Sequence, residues 1–168
     1  RPGWFLRDST GHFVSPGAWG TTWEDLVELN HEHAELRRHL AEVLLEWCRR
    51  GVDGFRCDAG YKVPVPVWEY IVARVRQEFP DTVFLLEGLG GAWEATEALL
   101  TRGGMQWAYS ELFQNHGGHA VQWYLDHAYR LSNHAGPLIH YSETHDNLRL
   151  TCQVSGPAAE AAALGQLT

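Results

Sequence analysis

From about residue 33 onward the chain alternates two hydrophobic periodicities, and that alternation confines it to a fold made of βαβ units around a parallel sheet. Leu36, Leu40, Val43, Leu44 and Trp47 recur at helical spacing, Arg37, Arg38, Glu42 and Arg49 take the opposite face, and Gly51 closes the segment. A short strand follows over 52–58. Pro64 and Pro66 bound a loop and open a helix carrying Val67, Ile71, Val75 and Phe79, which Pro80 ends. The same pattern predicts a strand over 83–87, a helix over 93–100, a strand over 105–110, a helix marked by Ala120, Val121, Tyr124, Leu125, Ala128 and Leu131, and a strand over 138–141. Ser155 and Pro157 are read as opening a last helix. Upstream, residues 4–14 read as a β-hairpin and Asn30 as a helix N-cap. Periodicity alone leaves open whether the sheet is doubly wound or closes into a barrel.

Composition narrows the function. The 13 basic and 21 acidic residues give a net charge of −8, which argues against a nucleic-acid or anionic-membrane surface. No apolar run reaches the length of a membrane span. Cys48, Cys57 and Cys152 lack zinc-site spacing and read as reduced thiols. The compartment is left open, leaning to the cytoplasm. With 8 Trp, 6 Tyr and 6 Phe the chain has aromatic surface to spare. Most of it belongs in a core, but Trp19, Trp23, Trp68, Trp93 and Trp107 are candidate sugar platforms, because a pyranose offers apolar C–H faces to an aromatic plane.

Three acids fall at the carboxyl end of a predicted strand or in the loop just beyond it: Asp58, Glu87 and Asp146. Parallel α/β folds build their active sites at that end. Strand residues alternate faces, so Arg56 shares a face with Asp58, and Gly54 on that face leaves room beneath them. A charge on a strand buried on both sides needs a partner, and Arg56 supplies one that favours ionised Asp58. One acid at a strand end is most often a cap; three at three strand ends point to chemistry.

These residues carry a family resemblance. Gly51-Val52-Asp53-Gly54-Phe55-Arg56-Cys57-Asp58-Ala59 resembles the nucleophile strand of glycoside hydrolase family 13, the α-amylase family. Phe84-Leu85-Leu86-Glu87-Gly88 resembles its acid/base strand, and Tyr141-Ser142-Glu143-Thr144-His145-Asp146-Asn147 its last motif. Trp23 to Asn30 is similar to the segment leading out of the family's inserted domain B. The resemblance implies an α/β fold that is a partial (β/α)₈ barrel, about strands 4 to 7, over residues 31–168, with residues 1–30 as the tail of domain B. It implies a retaining mechanism in which Asp58 is nucleophile, Glu87 acid/base and Asp146 the third carboxylate, with Arg56, His145, Lys62 and Tyr61 binding substrate. For its first step Glu87 has to be neutral while Asp58 is charged. The expected partner is an α-glucan or maltooligosaccharide. No metal site and no cofactor is assigned, calcium being an option only for a longer parent.

The chain also departs from the family pattern. Tyr61 and Lys62 stand where a Lys or His usually touches the acceptor sugar, Thr144 stands where Asn often precedes the His-Asp pair, and the family's Asp-rich first motif is absent. Lys62 to Glu69 is similar to the maltosyltransferase branch. Three readings follow: a hydrolase, a glycosyltransferase using the same intermediate, or a non-catalytic binding barrel, which the three retained acids disfavour. Four strands leave open edges, so the segment alone is expected to be poorly soluble or inactive. Gly88 to Trp93 superficially matches a dinucleotide turn, but Trp93 occupies a glycine position and a plain strand-to-helix turn is expected. His31-Glu32-His33 reads as an exposed helix start, and His116-Gly117-Gly118-His119 as a loop that could line a sugar cleft.

Overall fold

The computed structural model describes residues 1–115, 118–153 and 156–157. In chain order its regular elements are β1 (Gly17–Ala18), β2 (Thr21–Thr22), α1 (Ala34–Arg49), β3 (Gly54–Cys57), α2 (Val65–Arg76), β4 (Val83–Leu86), α3 (Trp93–Thr101), β5 (Trp107–Tyr109), α4 (His119–His134), β6 (Leu138–Ile139) and the short α5 (Leu150–Gln153). The alternation expected from the two periodicities is present. Strands β3, β4, β5 and β6 form one parallel sheet in that order.

Register explains the layering. Cys57 pairs with Leu86, Leu86 with Ala108, and Ala108 with Leu138, a row of side chains on one face of the sheet. That row joins Leu45 and Cys48 of α1, Val72 and Val75 of α2, Leu99 and Leu100 of α3 and Tyr124, Ala128 and Leu131 of α4 in a single buried cluster. All four long helices therefore pack against the same face. Each buried aliphatic side chain contributes about 1.5–3 kcal/mol. The opposite face carries Arg56, Leu85, Trp107 and Tyr109, none of them fully buried. A doubly wound sheet would place helices on both faces; among the described residues this sheet carries its long helices on one face only. Among the described residues no helix is long and apolar enough to cross a membrane.

The expected N-terminal hairpin is present: Arg7 bridges Phe13 antiparallel, Val14 N–H donates to the Leu6 carbonyl at 3.1 Å, Asp8 N–H donates to that of His12 at 2.9 Å, and Gly11 with φ +89 supplies the reversal. Its arms pair also with the chain leading to α1, Leu6 donating to the Glu28 carbonyl and Glu28 to that of Val14. Other boundaries differ from expectation for identifiable reasons. Asn30 does not cap α1; the N-cap position falls on His33, whose side chain makes no capping bond. The Asn30 side chain accepts from Glu32 N–H at 3.3 Å and donates to the Gly3 carbonyl at 3.2 Å, so it fastens the N-terminal segment. The helix expected after Ser155 falls largely outside the described residues, as do His116 and Gly117 of the loop motif.

Candidate active site

The ends of β3 and β4 are bonded past the last strand residue. Glu87 N–H donates to the Cys57 carbonyl and Gly60 N–H to the Glu87 carbonyl, both at 3.0 Å. Between them the chain turns sharply at Ala59, whose φ of 43° and ψ of 39° lie in the left-handed region. That conformation is unfavourable for a residue with a Cβ and persists where the surroundings over-determine it. Here it directs Ala59 N–H onto Glu87 Oε2 at 2.7 Å. Leu89 N–H reaches Glu87 Oε1 at 2.9 Å. Glu87 is only 8% exposed, yet both carboxyl oxygens accept a backbone N–H and each keeps a further lone pair. Gly60 packs closely beside it: a Cβ there would meet Leu86 Cδ1 at 2.5 Å, so that buried side chain would have to shift.

Asp58 lies one residue beyond β3 and its side chain is 73% exposed, so it is not the doubly buried charge that strand position alone suggested. Its partner is the expected one: Arg56 Nη1 donates to Asp58 Oδ1. Arg56 Nε also donates to the Tyr109 hydroxyl at 3.2 Å. Burial works against the Arg56 charge, and its hydrogen bonds to Asp58 and Tyr109 outweigh that, holding the guanidinium above its ordinary value.

The third carboxylate comes from the loop after β6. Asp146 N–H donates to Thr144 Oγ1 at 3.3 Å, and Asp146 Oδ2 lies 3.3 Å from His145 Nε2. The loop is closed by Glu143, which accepts from Leu150 N–H and, at 2.8 Å, from Arg149. Those two donors pull the Glu143 carboxyl below its usual range.

Asp58, Glu87 and Asp146 line one cavity of about 460 Å³. Tyr61 and His145 line it too, with Trp19, Trp23 and Gln114 on the remaining wall. Burial, followed by the nearby Glu87, Asp58 and Glu111 carboxylates, raises the Tyr61 hydroxyl. Arg56 and Lys62 stand back from the cavity wall: Arg56 reaches it through Asp58, and Lys62 Nζ sits 5.8 Å over the Trp23 ring. Among the candidate platforms, Trp19 and Trp23 face the cavity, whereas Trp93 packs against Tyr124 and His127, and Trp68 donates to the Gly60 carbonyl. Sequence reading passed over Gln114 and Glu111, which follow β5; their position after a third predicted strand was the available signal. Glu111 accepts from Gly90 N–H and so ties the end of β5 to the loop behind Glu87. Among the described residues no group of three or more His, Cys, Asp or Glu side chains could hold a metal ion.

No protein-family model matches the chain. Among curated proteins, the α-1,4-glucan:maltose-1-phosphate maltosyltransferase of Pseudomonas aeruginosa is 34% identical over 91 residues, which are 51% of this chain and 14% of that protein. The α-amylase MalA of Haloarcula japonica is 29% identical over 146 residues, 84% of this chain and 22% of MalA. The matched stretch thus spans less than a quarter of either relative. An α-amylase structure from Lactobacillus plantarum superposes with a TM-score of 0.75 at 24% identity, covering 94% of this chain and 40% of that one.

Proposed function

We propose, from the chain's partial match to the enzymes of the α-amylase family, maltosyltransferases and α-amylases alike, that it carries the catalytic centre of a retaining enzyme acting on α-glucosidic bonds. The observation that carries this reading is the convergence of Asp58, Glu87 and Asp146 on one cavity. Residues 31–168 are then an arc of a (β/α)₈ barrel: all the long helices cover one face of the sheet, and the other face, with Arg56 and Tyr109, is the barrel interior. Residues 1–30 are the end of an inserted domain that returns to the barrel at α1.

In this reading the Asp58 carboxylate attacks the anomeric carbon while Glu87 gives its proton to the departing glycosidic oxygen. The C1–O bond breaks and a glycosyl ester forms on Asp58. Glu87, now a carboxylate, takes a proton from a water or sugar hydroxyl that attacks C1 and releases Asp58. Asp146 and His145 bind hydroxyls of the same ring and stabilise the positive charge that develops on it. Arg56 keeps Asp58 placed and charged. Tyr61, on the turn after Asp58, contacts the acceptor side, and Lys62 stands behind the wall with its ammonium over the Trp23 ring.

Transfer to a sugar is favoured as a second reading by the maltosyltransferase matches and by the Lys62 to Glu69 stretch. Hydrolysis and transfer share one intermediate and differ in what attacks it. Product analysis by NMR on the full-length polypeptide, with and without added maltooligosaccharide, separates them. Free reducing sugar formed at the same rate in both cases supports the hydrolase; elongated glucan formed only with acceptor supports the transferase. Asp58→Asn is expected to lower either activity at least about a thousandfold. Full turnover in that variant would contradict the assignment.

A further inference from the structure

Trp19 forms the tip of the β1–β2 hairpin together with Gly20. Both have positive φ, 52° and 78°. Tight hairpins favour Asn-Gly at such a pair, because Asn tolerates the left-handed region and a bulky aromatic does not. A tryptophan placed there should be compensated by burial, but Trp19 is 71% exposed. Its side chain therefore neither relieves the turn nor fills a core. Instead it lines the cavity that holds Asp58, Glu87 and Asp146.

The indole is seated. Its Nε1 donates to the Gly90 carbonyl at 3.4 Å, and a Cβ on Gly90 would run into the ring. Gly90 belongs to the loop between Glu87 and α3, whose other side is held by Glu111. The other aromatic side chains on the wall are already engaged. Trp23 is half-buried with the Lys62 ammonium over its ring, and Tyr61 lies against Gly91, where an added Cβ would come within 3.1 Å of the phenol ring. Trp19 alone among them combines a fixed edge with an open face.

We infer that Trp19 is the platform on which a glucosyl ring of the substrate stacks, held ready by a strained turn and seated on the glycine loop behind Glu87. This rests on the α-glucan reading above and adds the residue that selects for a pyranose. An indole plane takes the apolar C–H face of a glucosyl unit, and Gln114 and Asn147 on the same cavity wall are polar partners available to its hydroxyls. Strain retained at an exposed position is what a binding role predicts and a structural role does not.

Steady-state kinetics on maltotriose with the full-length polypeptide tests this. Trp19→Gly removes the ring and relaxes the turn. It is expected to raise KM about tenfold, with a much smaller effect on kcat and with a melting temperature no lower than the parent's. Trp19→Phe keeps an aromatic face and should stay within about threefold of the parent KM. Trp47→Ala, an exposed tryptophan on α1, serves as control and should leave KM unchanged. An unaltered KM in Trp19→Gly, with the parent enzyme active, overturns the platform and spares the glucan reading. A Trp19→Gly variant that melts lower, with Trp19→Phe equally impaired, shows a structural turn and also overturns it. A parent polypeptide with no saturable activity on maltooligosaccharides removes the glucan reading and the platform together.

Discussion

Glu87 and Asp146 reach the same cavity by different kinds of support. Glu87 is buried, continues the hydrogen-bonded ladder of β3 and β4, and has both oxygens held by backbone N–H groups. Asp146 is 69% exposed, sits on the loop after the two-residue strand β6, and leans on Thr144 and His145, which belong to the same loop. One carboxylate is part of the framework; the other is presented by a loop. Position in such a site can therefore be fixed by the sheet, at a cost to stability when altered, or by local turn chemistry that the fold barely senses.

Paired substitutions at the two positions put that contrast to the test. The largest effects are on activity: Glu87→Gln should lower kcat about 10²- to 10⁴-fold, and Asp146→Asn about 10²- to 10³-fold. Stability should separate them. Gln at position 87 has one carbonyl oxygen for two N–H donors and sets its NH₂ against one of them, so thermal or denaturant unfolding should show a loss of about 1–3 kcal/mol. Asp146→Asn should stay within about 0.5 kcal/mol of the parent. Equal stability losses in the two variants would erase the distinction between framework and loop.

A smaller effect probes the framework side from beneath. Cys57, next to Asp58 but facing the helices, is pushed up to about 12 by burial, against the pull of Arg56. The folded state thus keeps a proton that the unfolded thiol releases at its ordinary value, and stability contributed by this group falls as the pH rises through that interval. At about pH 9 iodoacetamide should modify exposed Cys152 and spare Cys57 in the native chain. Rapid labelling of Cys57 would mean that the end of β3 opens, making it no firmer than the loop after β6.

The same contrast governs what could be read from the residues. The helices and strands β3 and β4 were legible because each spans enough residues for a period to repeat, the shorter β5 and β6 because they fall between helices in the alternation, and the Arg56–Asp58 pair followed from strand alternation. The β1–β2 hairpin was not, since two-residue strands carry no period. The left-handed turn at Ala59 was not either, because the residue itself gives no hint of a positive φ that tertiary bonds impose. The exposure of Asp58 was missed because its strand was expected to run through it, whereas β3 ends at Cys57. Asn30 drew attention as a cap by residue type, but its side chain is engaged by Gly3 from far along the chain. The acids were found by their place at strand ends; how each is held required the backbone.

In the proposed reaction a sugar's anomeric carbon becomes bonded to Asp58 between Glu87 and Asp146. The full-length polypeptide can be incubated with an α-glucosyl fluoride that carries a rate-slowing ring fluorine and its peptides read by mass spectrometry. One fluoroglucosyl adduct is expected on the peptide containing Asp58, and none in Asp58→Asn. An adduct on a different carboxylate, or none while the reagent is consumed, would overturn the assignment.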